Sequence, residues 1–568
     1  MRYIAFATDY DGTIAHDGHV TEATITALEQ LRASGRKLIL VTGRDLPLLE
    51  RDFDRLDLFD RVVAENGALL YTPTTRARRT LGEPPPPTFV DALRARGVAP
   101  IDVGEVIVAT WQPHEAAVLD AIRELGLELQ VIFNKGAVMV LPSGINKAAG
   151  LTAALVDLGL SAHSVLGIGD AENDHAFLSL CECAVATANA LPTLKERADL
   201  VTNGRDGVGA AEIIARLIAN DLADVDLPRY ASVIGTKPDG TDITLRAYGE
   251  RVMITGTSGS GKSTLTTGLL ERITEHGYQF CLIDPEGDYD LLPGATVLGG
   301  PQRPPDLTEV FALLEQPEQN VVVNVLGVAL EDRPAFFEKL MPHLDDLRSR
   351  TGRPHWLVID EAHHLMPANW SAAETVLPDP WHNVVLISTH PELIAPAALG
   401  RTATMIAIGE RPTDALAHYA KLLGTTAPTP DDTALDTGEA LIWSPLAGGT
   451  PVRFRITPPT SERRRHQRKY AAGDMGEGDS FYFRGAAGKL NLRANNLLIF
   501  VQIADGIDDE TWEYHLRQGD YAAWFAGKVK DDDLATTAAT IAEQQELTPA
   551  ASRAAIKQAI GARYTLPG

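Results

Sequence analysis

The feature that most restricts the fold of this chain is an eight-residue run, GTSGSGKS, at residues 256–263. It follows the apolar stretch RVMIT and precedes TLTTGLLERI, whose apolar residues recur at helical spacing. A strand, a glycine-rich loop and a helix in this order predict a phosphate-binding loop in an α/β domain. The glycines let backbone N–H groups wrap phosphates, and the N-terminus of the helix adds positive potential.

We expect this loop and the first helical residues to bind the phosphates of a nucleotide. Lys262 would reach the β and γ oxygens, and Ser263 would bind Mg²⁺. The predicted nucleotide-binding residues of this segment are Gly256, Thr257, Ser258, Gly259, Ser260, Gly261, Lys262, Ser263 and Thr264. The sequence therefore predicts an ATP site.

A second motif, HWLVIDEAHHLMP, places an acidic pair directly after four apolar residues. Asp360 would hold Mg²⁺, and Glu361 would polarise a water for attack on the γ-phosphate. This pair favours a hydrolysing ATPase over a kinase, which must exclude water. The letters DEAH also occur in helicases, but the other helicase motifs are not evident in this sequence.

Two further stretches, YQFCLIDPEGDY and NVVLISTHPE, resemble strands of the HerA and FtsK class of ring ATPases, and the resemblance covers residues 228 to 455. In that class a polar residue after the fourth strand senses the γ-phosphate. Here Thr389, followed by His390, stands where glutamine is more usual. Arg401 is a candidate arginine finger for a neighbouring subunit, or else a surface salt-bridge residue. The class usually forms hexamers, so the resemblance implies a homo-oligomeric ring.

The stretch IAFATDYDGTIAHDG puts two aspartates, Asp9 and Asp11, at the end of an apolar run. A calcium loop is excluded by spacing, because the sixth and twelfth places counted from Asp9 hold Ile14 and Val20. An ordinary Asp-Gly turn and a metal-assisted nucleophile both remain open at this point.

Three more polar clusters occur further along the chain, two directly after strand-like stretches and one at a helix start. Thr42 and Gly43 follow RKLILV, Lys147 begins a predicted helix after SGIN, and SVLGIG is followed by Asp170, Asn173 and Asp174. In a parallel sheet the carboxyl ends of the strands meet at one edge, so these side chains are expected to lie together.

This order of motifs resembles the Cof-type phosphatases of the haloacid dehalogenase superfamily over residues 1 to 218, with AENGALLY and RDGVGAAEIIARLI adding to the match. The resemblance implies that Asp9 is a nucleophile forming an aspartyl-phosphate and that Asp11 is the general acid and base. It implies Mg²⁺ bound by Asp9, the main-chain carbonyl of Asp11 and Asp170, with Asn173 and Asp174 supporting the metal. The implied phosphate-binding residues are Thr42, Gly43, Lys147 and Asn173.

Between the Thr42 and Lys147 motifs the pattern changes. A rigid EPPPP connector is followed by mixed helix and strand patterns up to residue 141. This insert resembles the large cap of Cof-type phosphatases, which closes over substrate and excludes water. A closing cap favours a small phosphorylated metabolite over a polymer end.

A length of 568 residues is too great for one core, so we predict an α/β multidomain protein. Residues 1–220 are predicted as a Rossmann-like parallel-sheet phosphatase, with core 1–84 and 142–220 and an α+β cap at 85–141. Residues 228–458 are predicted as a P-loop α/β ATPase and residues 470–568 as a small, mainly helical domain of unknown function. In that last part His515, Trp512 and Trp524 are predicted core residues.

The net charge of −25 disfavours binding to nucleic acid without excluding it. A basic run before residue 470 could touch phosphate or lie in solvent; its cations are Arg463, Arg464, Arg465, Arg468 and Lys469. Cys181, Cys183 and Cys281 form no disulfide framework, and no apolar run is long enough to span a membrane. The opening residues show no signal-peptide pattern, so we expect a cytoplasmic protein.

The prediction from sequence is a Mg²⁺-dependent phosphatase of small phosphate esters fused to an ATP-hydrolysing domain. The main alternative is a nucleic-acid translocase ATPase with an accessory phosphatase. A kinase and phosphatase acting on polynucleotide ends is disfavoured by Glu361 and by the cap. A degenerate nucleotide-binding scaffold is disfavoured because both motif sets are complete.

Overall fold

A computed structural model of the chain describes residues 1–426, 434–460, 470, 475, 479–486, 488–529 and 531–564. The basic run with Arg463, Arg464, Arg465, Arg468 and Lys469 lies outside these residues. The chain forms two compact units, Met1–Thr457 and Pro458–Gly568. No helix within the described ranges combines the length and the apolar character that crossing a bilayer requires.

The N-terminal part of the first unit, residues 1–227, alternates strands and helices. Its strands are β1 (Ala5–Thr8), β2 (Ala15–His16), β3 (His19–Val20), β4 (Lys37–Val41), β5 (Arg61–Ala64), β6 (Leu69–Thr72), β7 (Ala77–Thr80), β8 (Asp102–Val103), β9 (Val108–Trp111), β10 (Leu129–Asn134), β11 (Ala137–Pro142), β12 (Val165–Gly169), β13 (Cys183–Ala186) and β14 (Leu200–Val201). Its helices are α1 (Glu22–Ala33), α2 (Leu46–Asp52), α3 (Pro87–Ala95), α4 (Glu115–Leu125), α5 (Lys147–Leu158), α6 (His175–Leu180), α7 (Pro192–Lys195) and α8 (Asp206–Asn220).

The main sheet of this part has the order β14-β13-β12-β1-β4-β5-β6-β7. Strands β14 to β5 run parallel, and β6 and β7 add an antiparallel edge. The inner strands are buried on both faces because helices cover them, which is why β1, β4 and β12 read as unbroken apolar runs. Since β4, β1 and β12 are neighbours, the loops that follow them meet at one edge.

The cap is a separate small layer inserted after β7. Its antiparallel sheet has the order β10-β11-β9-β8, and helices α3 and α4 pack on it around Phe89, Leu93 and Val118. Glu65 fastens the cap to the core: this buried carboxylate accepts hydrogen bonds of 2.7–2.9 Å from the backbone N–H groups of Glu105, Val106 and Ile107. Three donors on one carboxylate fix where the cap chain leaves the core edge.

The rest of the first unit is a second α/β layer. Its strands are β15 (Ser232–Thr236), β16 (Asp242–Leu245), β17 (Arg251–Gly256), β18 (Phe280–Asp284), β19 (Ala295–Gly299), β20 (Asn320–Asn324), β21 (Trp356–Ile359), β22 (Val384–Ser388), β23 (Thr404–Ile408), β24 (Glu439–Trp443) and β25 (Val452–Ile456). Its helices are α9 (Lys262–Glu275), α10 (Leu307–Leu314), α11 (Arg333–Thr351), α12 (Ala373–Val376), α13 (Pro396–Leu399) and α14 (Pro412–Leu422). In the described residues the sheet order is β16-β15-β25-β24-β23-β17-β22-β21-β18-β20-β19.

The second unit pairs a short hairpin with helices. Its elements are β26 (Phe481–Phe483), β27 (Leu492–Ala494), α15 (Leu497–Gly506), α16 (Asp509–Gln518), α17 (Asp520–Trp524), α18 (Asp532–Glu543) and α19 (Pro549–Arg563). Trp512, Trp524 and His515 are buried, so their prediction as core residues is confirmed. Both ring nitrogens of His515 are used structurally, Nδ1 with Asp520 and Nε2 as acceptor from backbone N–H groups. The predicted fold class of the whole chain is confirmed.

The two α/β layers of the first unit share a buried polar contact. The carboxylate of Glu182, directly before β13, accepts hydrogen bonds from Arg2 Nη2 (2.9 Å) and from the hydroxyl of Tyr278 (2.9 and 3.0 Å). His163 Nδ1 lies 2.8 Å from the same carboxylate, and its ring stacks on Tyr278. Burial alone would raise the pKa of Glu182, but His163 and Arg2 outweigh burial and lower it below its ordinary value.

Replacing Glu182 by Gln should therefore destabilise the first unit, because Arg2 would stay buried without its counter-charge. We expect a loss of about 3 kcal/mol in the free energy of unfolding, measured by urea denaturation, with the exposed Glu196→Gln as control. A lowered native pKa stabilises the fold above the unfolded pKa of about 4.5. The difference in the free energy of unfolding between wild type and variant should therefore narrow as pH falls below that value. A difference that widens at low pH would contradict this account.

Candidate active sites

The first site lies at the carboxyl ends of β1 and β12, in the loops that follow these two strands. Asp9 follows β1, while Asp170 and Asp174 follow β12, and one oxygen from each of the three buried carboxylates lies within 4.8 Å of the others. That spacing is within reach of a shared cation. The structure thus brings together side chains that are up to 165 positions apart, as 174 minus 9.

Lys147 supplies the counter-charge for this cluster. Its Nζ lies 2.5 Å from Asp9 Oδ1 and 2.6 Å from Asp174 Oδ1, and its side chain is only 1% exposed. Lys147 is the first residue of α5, whose N-cap Asn146 accepts a hydrogen bond from Ala149 N. Burial alone disfavours the ammonium, but Asp174 and Asp9 raise the pKa of Lys147 above its ordinary value. The lysine therefore remains charged.

Asp9 is the most perturbed of these carboxylates. Burial and repulsion from Asp174 raise its pKa to about 7, even though Lys147 acts in the opposite direction. Its second oxygen, Oδ2, accepts a hydrogen bond of 3.3 Å from Thr13. A carboxylate held in one orientation, with its charge only partly offset, is suited to nucleophilic attack on an electrophile that enters with a further cation.

The chemistry of the remaining oxygens fits Mg²⁺. Within the described residues, Oδ1 of Asp170 is buried and has no hydrogen-bond partner. Asp174 is already engaged, since its Oδ2 accepts from the N–H groups of Asp170 and Ala171 and its Oδ1 from Lys147. Asp9 and Asp170 thus offer ligand oxygens, while Asp174 mainly orients the loop that carries Asp170.

The predicted phosphate-binding residues lie around the same edge. Gly43 faces Asn173, whose Nδ2 would lie 3.6 Å from a β-carbon at that glycine. Asn173 is fixed by a 2.9 Å hydrogen bond to Asn66 Oδ1, and Asn66 N donates to the carbonyl of Thr42. Asn66 has a positive φ of 54°, a conformation that asparagine tolerates. The AENG stretch thus braces Thr42, Gly43 and Asn173.

Asp11 has a different partner from the others. Both of its oxygens accept 2.7 Å hydrogen bonds from Arg44, which also binds Asp52. Its side chain is 42% exposed, and it lies at the rim of the cluster. For Asp11 to donate a proton, one of its oxygens must carry an O–H, which would weaken the hydrogen bond from Arg44 at that oxygen.

Two residues at this site were missed by sequence reasoning. Asn189 Nδ2 donates to the carbonyl of Gly12 at 2.8 Å and approaches Asp170 Oδ2 at 3.4 Å. Lys135, from the cap, donates to Asp170 Oδ2 at 2.9 Å. Lys135 belongs to the cap, and Asn189 follows β13 in a stretch that matches none of the predicted motifs, so only the folded chain reveals them.

The second site lies at the carboxyl edge of the other large sheet. Lys262 Nζ donates to the carbonyls of Gly256 (3.0 Å) and Thr257 (3.3 Å), which closes the loop on itself. A side chain at Gly256 would meet the carbonyl of Ile408 at 2.4 Å, so the glycine is required. Ser263 and Thr264 follow in the first turn of α9. A cavity of about 380 Å³ borders Thr257, Ser258, Gly259 and Ser260.

The acidic pair and the predicted sensor meet beside this loop. Asp360 follows β21, and burial together with repulsion from Glu361 raises its pKa well above its ordinary value. Glu361 Oε2 accepts hydrogen bonds from the N–H (3.2 Å) and the hydroxyl (3.3 Å) of Thr389, which follows β22. Thr389 therefore orients the carboxylate that was predicted to polarise water.

Other residues near this site were less visible in the sequence. Glu286, in the loop after β18, has its pKa raised by burial and by repulsion from Glu361, while Lys262 acts in the opposite direction. Asp284 holds that loop through hydrogen bonds from Glu286 N and Gly287 N. Arg401 donates to the carbonyls of Pro378 and Ala397 and lies 3.4 Å from Glu374, as in the salt-bridge alternative. Its side chain would have to release these contacts to act as an arginine finger.

Comparisons with known proteins match both sites. The haloacid dehalogenase-like hydrolase family matches residues 6–81 and 107–214, and an AAA domain family matches residues 247–387. A phosphoglycolate phosphatase of Methanothermobacter thermautotrophicus is 30% identical over 224 residues, covering 38% of this chain and 98% of that protein. Phosphoglycolate phosphatase 2 of Saccharolobus solfataricus is 26% identical over 39% of this chain and 97% of its own length. A phosphoglycolate phosphatase of Haloarcula marismortui is 30% identical over 220 residues, covering 36% of this chain and 94% of that protein.

Substituting Thr389 by Val should lower ATP turnover and leave ATP affinity unchanged, because the hydroxyl contacts Glu361. We expect kcat to fall about tenfold, the effect of one hydrogen bond on an activation barrier. Steady-state phosphate release and equilibrium binding of an ATP analogue measure the two quantities. The exposed Thr375→Val is the matched control, and weaker binding with unchanged kcat would show that Thr389 contacts nucleotide instead.

Proposed function

Since the chain belongs to the haloacid dehalogenase-like hydrolases and also carries an AAA domain, we propose that it is a Mg²⁺-dependent phosphatase of small phosphate esters fused to an ATP-hydrolysing domain. The prediction of a hydrolase joined to a P-loop ATPase is confirmed by these matches. The narrower resemblance to HerA and FtsK stays a prediction. Our domain assignment is phosphatase at residues 1–220, with its cap at 85–141, ATPase at 228–458 and a small C-terminal domain at 470–568.

One observation carries the phosphatase proposal: Lys147 lies buried between Asp9 and Asp174, with an unpartnered oxygen of Asp170 beside them. A fold that only needed stability would not bury three carboxylates beside one another, because desolvation costs several kcal/mol for each ion. The cluster is suited to binding a divalent cation and a phosphoryl group together. Mg²⁺, held by Asp9, Asp170 and the carbonyl of Asp11, would offset the repulsion between a carboxylate and a phosphate dianion.

In the first half of the proposed reaction, Thr42, Gly43, Lys147 and Asn173 hold the phosphoryl group. An oxygen of Asp9 attacks phosphorus, and the bond from phosphorus to the ester oxygen breaks. The leaving alkoxide takes a proton from Asp11, after Arg44 has released one of its two hydrogen bonds to that carboxyl.

In the second half, the Asp11 carboxylate removes a proton from a water molecule, and the resulting oxygen attacks the phosphorus of the aspartyl-phosphate. The bond from Asp9 to phosphorus breaks, which releases inorganic phosphate and restores Asp9. The ion pair between Lys147 and Asp9 keeps the carboxylate aligned in both steps.

Phosphoglycolate is the first substrate to test. The relatives matched over nearly their whole length are named phosphoglycolate phosphatases. Glu65 attaches the cap chain to the core, and a cap that closes over substrate to exclude water suits a small ester better than a polymer end.

For the ATPase part we propose that Lys262, Ser263 and Asp360 bind Mg²⁺-ATP and that Glu361 polarises the attacking water. Thr389 supports this role because it hydrogen-bonds Glu361. We further propose a homo-oligomer and a cytoplasmic location, the latter consistent with buried, free Cys181, Cys183 and Cys281. ATP hydrolysis measured with and without DNA distinguishes this assignment from a translocase.

The test is a panel of small phosphate esters assayed with Mg²⁺, with and without ATP, on wild type and variants. Asp9→Asn should reduce ester hydrolysis by at least about 10³-fold, as expected for loss of a nucleophile. Lys262→Ala should abolish ATP hydrolysis and retain ester hydrolysis. The exposed Asp17→Asn is the matched control. Borohydride trapping should reduce a phosphorylated Asp9 to homoserine, detected by mass spectrometry.

The outcomes separate the elements of the proposal. Ester hydrolysis that survives Asp9→Asn would contradict the nucleophile assignment. Loss of ester hydrolysis in Lys262→Ala would show that the two sites are coupled. Salt-sensitive stimulation of ATP hydrolysis by DNA would favour the translocase.

A further inference from the structure

One positively charged side chain of the cap, Lys135, reaches the phosphatase site. Strands β10 and β11 form a hairpin whose two tip residues are Lys135 and Gly136. Both have positive φ, 48° and 89°, as in the type I′ turn. Asn-Gly is the preferred pair in such a turn, and lysine is an unfavourable choice for its first position.

The lysine has defined partners. Its Nζ donates to Asp170 Oδ2 at 2.9 Å and to the carbonyl of Asp11 at 3.2 Å. It also passes close to Gly12, where a β-carbon would lie 3.0 Å from Nζ and 2.4 Å from Asp170 Oδ2. A residue at the far end of the cap hairpin thus reaches the loop of the nucleophile.

These two acceptors are also the groups expected to bind Mg²⁺. A divalent cation held by Asp170 Oδ1 and the Asp11 carbonyl would compete with Lys135 for that carbonyl, would offset the charge of Asp170 and would repel the ammonium. Another anion would then be a better partner for Lys135. Its side chain is 48% exposed, so it is free to turn into the space between cap and core.

That space is where the part of the ester remote from phosphorus lies. Thr42, Gly43, Lys147 and Asn173 hold the phosphoryl group against the core, so the rest of the molecule extends toward the cap. Lys147 uses two of its three N–H donors on Asp9 and Asp174, which leaves one for the phosphoryl group and none for a second anion. Lys135 is thus a cation at this edge whose present contacts a bound metal would weaken.

We propose that Lys135 is a specificity-determining residue that binds a second anionic group, a carboxylate, on the phosphate ester. This inference rests on the proposed phosphatase function and narrows its substrate class to short phosphorylated carboxylic acids. The strained turn supports this proposal, because a lysine in the left-handed backbone region costs conformational energy that Asn would avoid.

The test compares 2-phosphoglycolate with 2-hydroxyethyl phosphate, which replaces the carboxylate by a hydroxymethyl group. Lys135→Asn removes the charge while favouring the turn, and Lys135→Arg keeps the charge. Lys135→Asn should lower kcat/KM for phosphoglycolate about 10- to 100-fold more than for hydroxyethyl phosphate, the weight of one charge-assisted hydrogen bond. Lys135→Arg should recover most of the loss. Arg123→Ala, an exposed cap arginine, is the matched control.

Two binding measurements do not depend on turnover. In the Asp9→Asn background with Mg²⁺ present, calorimetry should show weaker phosphoglycolate binding when Lys135→Asn is added. Mg²⁺ alone should bind Lys135→Asn at least as tightly as wild type, since the ammonium no longer competes for Asp170.

Equal losses for both esters, no loss for either, no measurable binding of phosphoglycolate, or weaker Mg²⁺ binding in Lys135→Asn would each overturn the assignment. If no ester were hydrolysed by wild type, the proposed function would fail. The binding measurements would still decide whether Lys135 recognises the carboxylate.

Discussion

One buried ammonium makes the phosphatase site physically feasible. Asp9 and Asp174 lie in the interior, and their mutual repulsion would drive one of them to bind a proton if Lys147 were not between them. Asp174 in turn holds the N–H groups of Asp170 and Ala171, which sets the loop that presents the next carboxylate. The parallel order of β4, β1 and β12 brings the strand ends together, and Lys147 then offsets the repulsion between the loop after β1 and the loop after β12.

The two sites use the same geometric device in two separate sheets. In each, the chemistry lies in loops after adjacent parallel strands, β4, β1 and β12 in one sheet and β17, β22 and β21 in the other. The sites differ in how the negative charge of their acidic side chains is offset. The first uses a buried lysine inside the cluster, whereas the second leaves Lys262 on loop carbonyls and raises the pKa of Asp360 by burial and by Glu361. Both arrangements leave a net negative pocket that favours Mg²⁺ with a phosphate.

The central residues of each site could be predicted because each strand-end motif is a short, continuous stretch of sequence. Asp9, Thr42 and Asp170 each follow an apolar strand, and the order of parallel strands then brings them together. The residues that were missed act across long distances: Lys135 approaches Asp170 from the cap hairpin, and Asn189 approaches it from the loop after β13. The sequence around Lys135 indicates no partner for it. The one local signal is Lys135 itself, which stands at a turn position where Asn is preferred. The pairing of Asp11 with Arg44 was also not predicted, because Asp11 had been given a catalytic role and Arg44 none.

Composition and motif order suggest separate domains, but packing joins the two α/β layers. Tyr278 comes shortly after α9, the helix that begins at Lys262, and Glu182 comes shortly after α6, the helix that begins beside Asp174. Their hydrogen bond, with Arg2 and His163 on the same carboxylate, is buried. Separating the layers would leave an arginine, a carboxylate and a tyrosine hydroxyl to be resolvated, together with the stacked rings of His163 and Tyr278. The layers therefore form one compact unit through residue 457, although each carries its own set of motif residues.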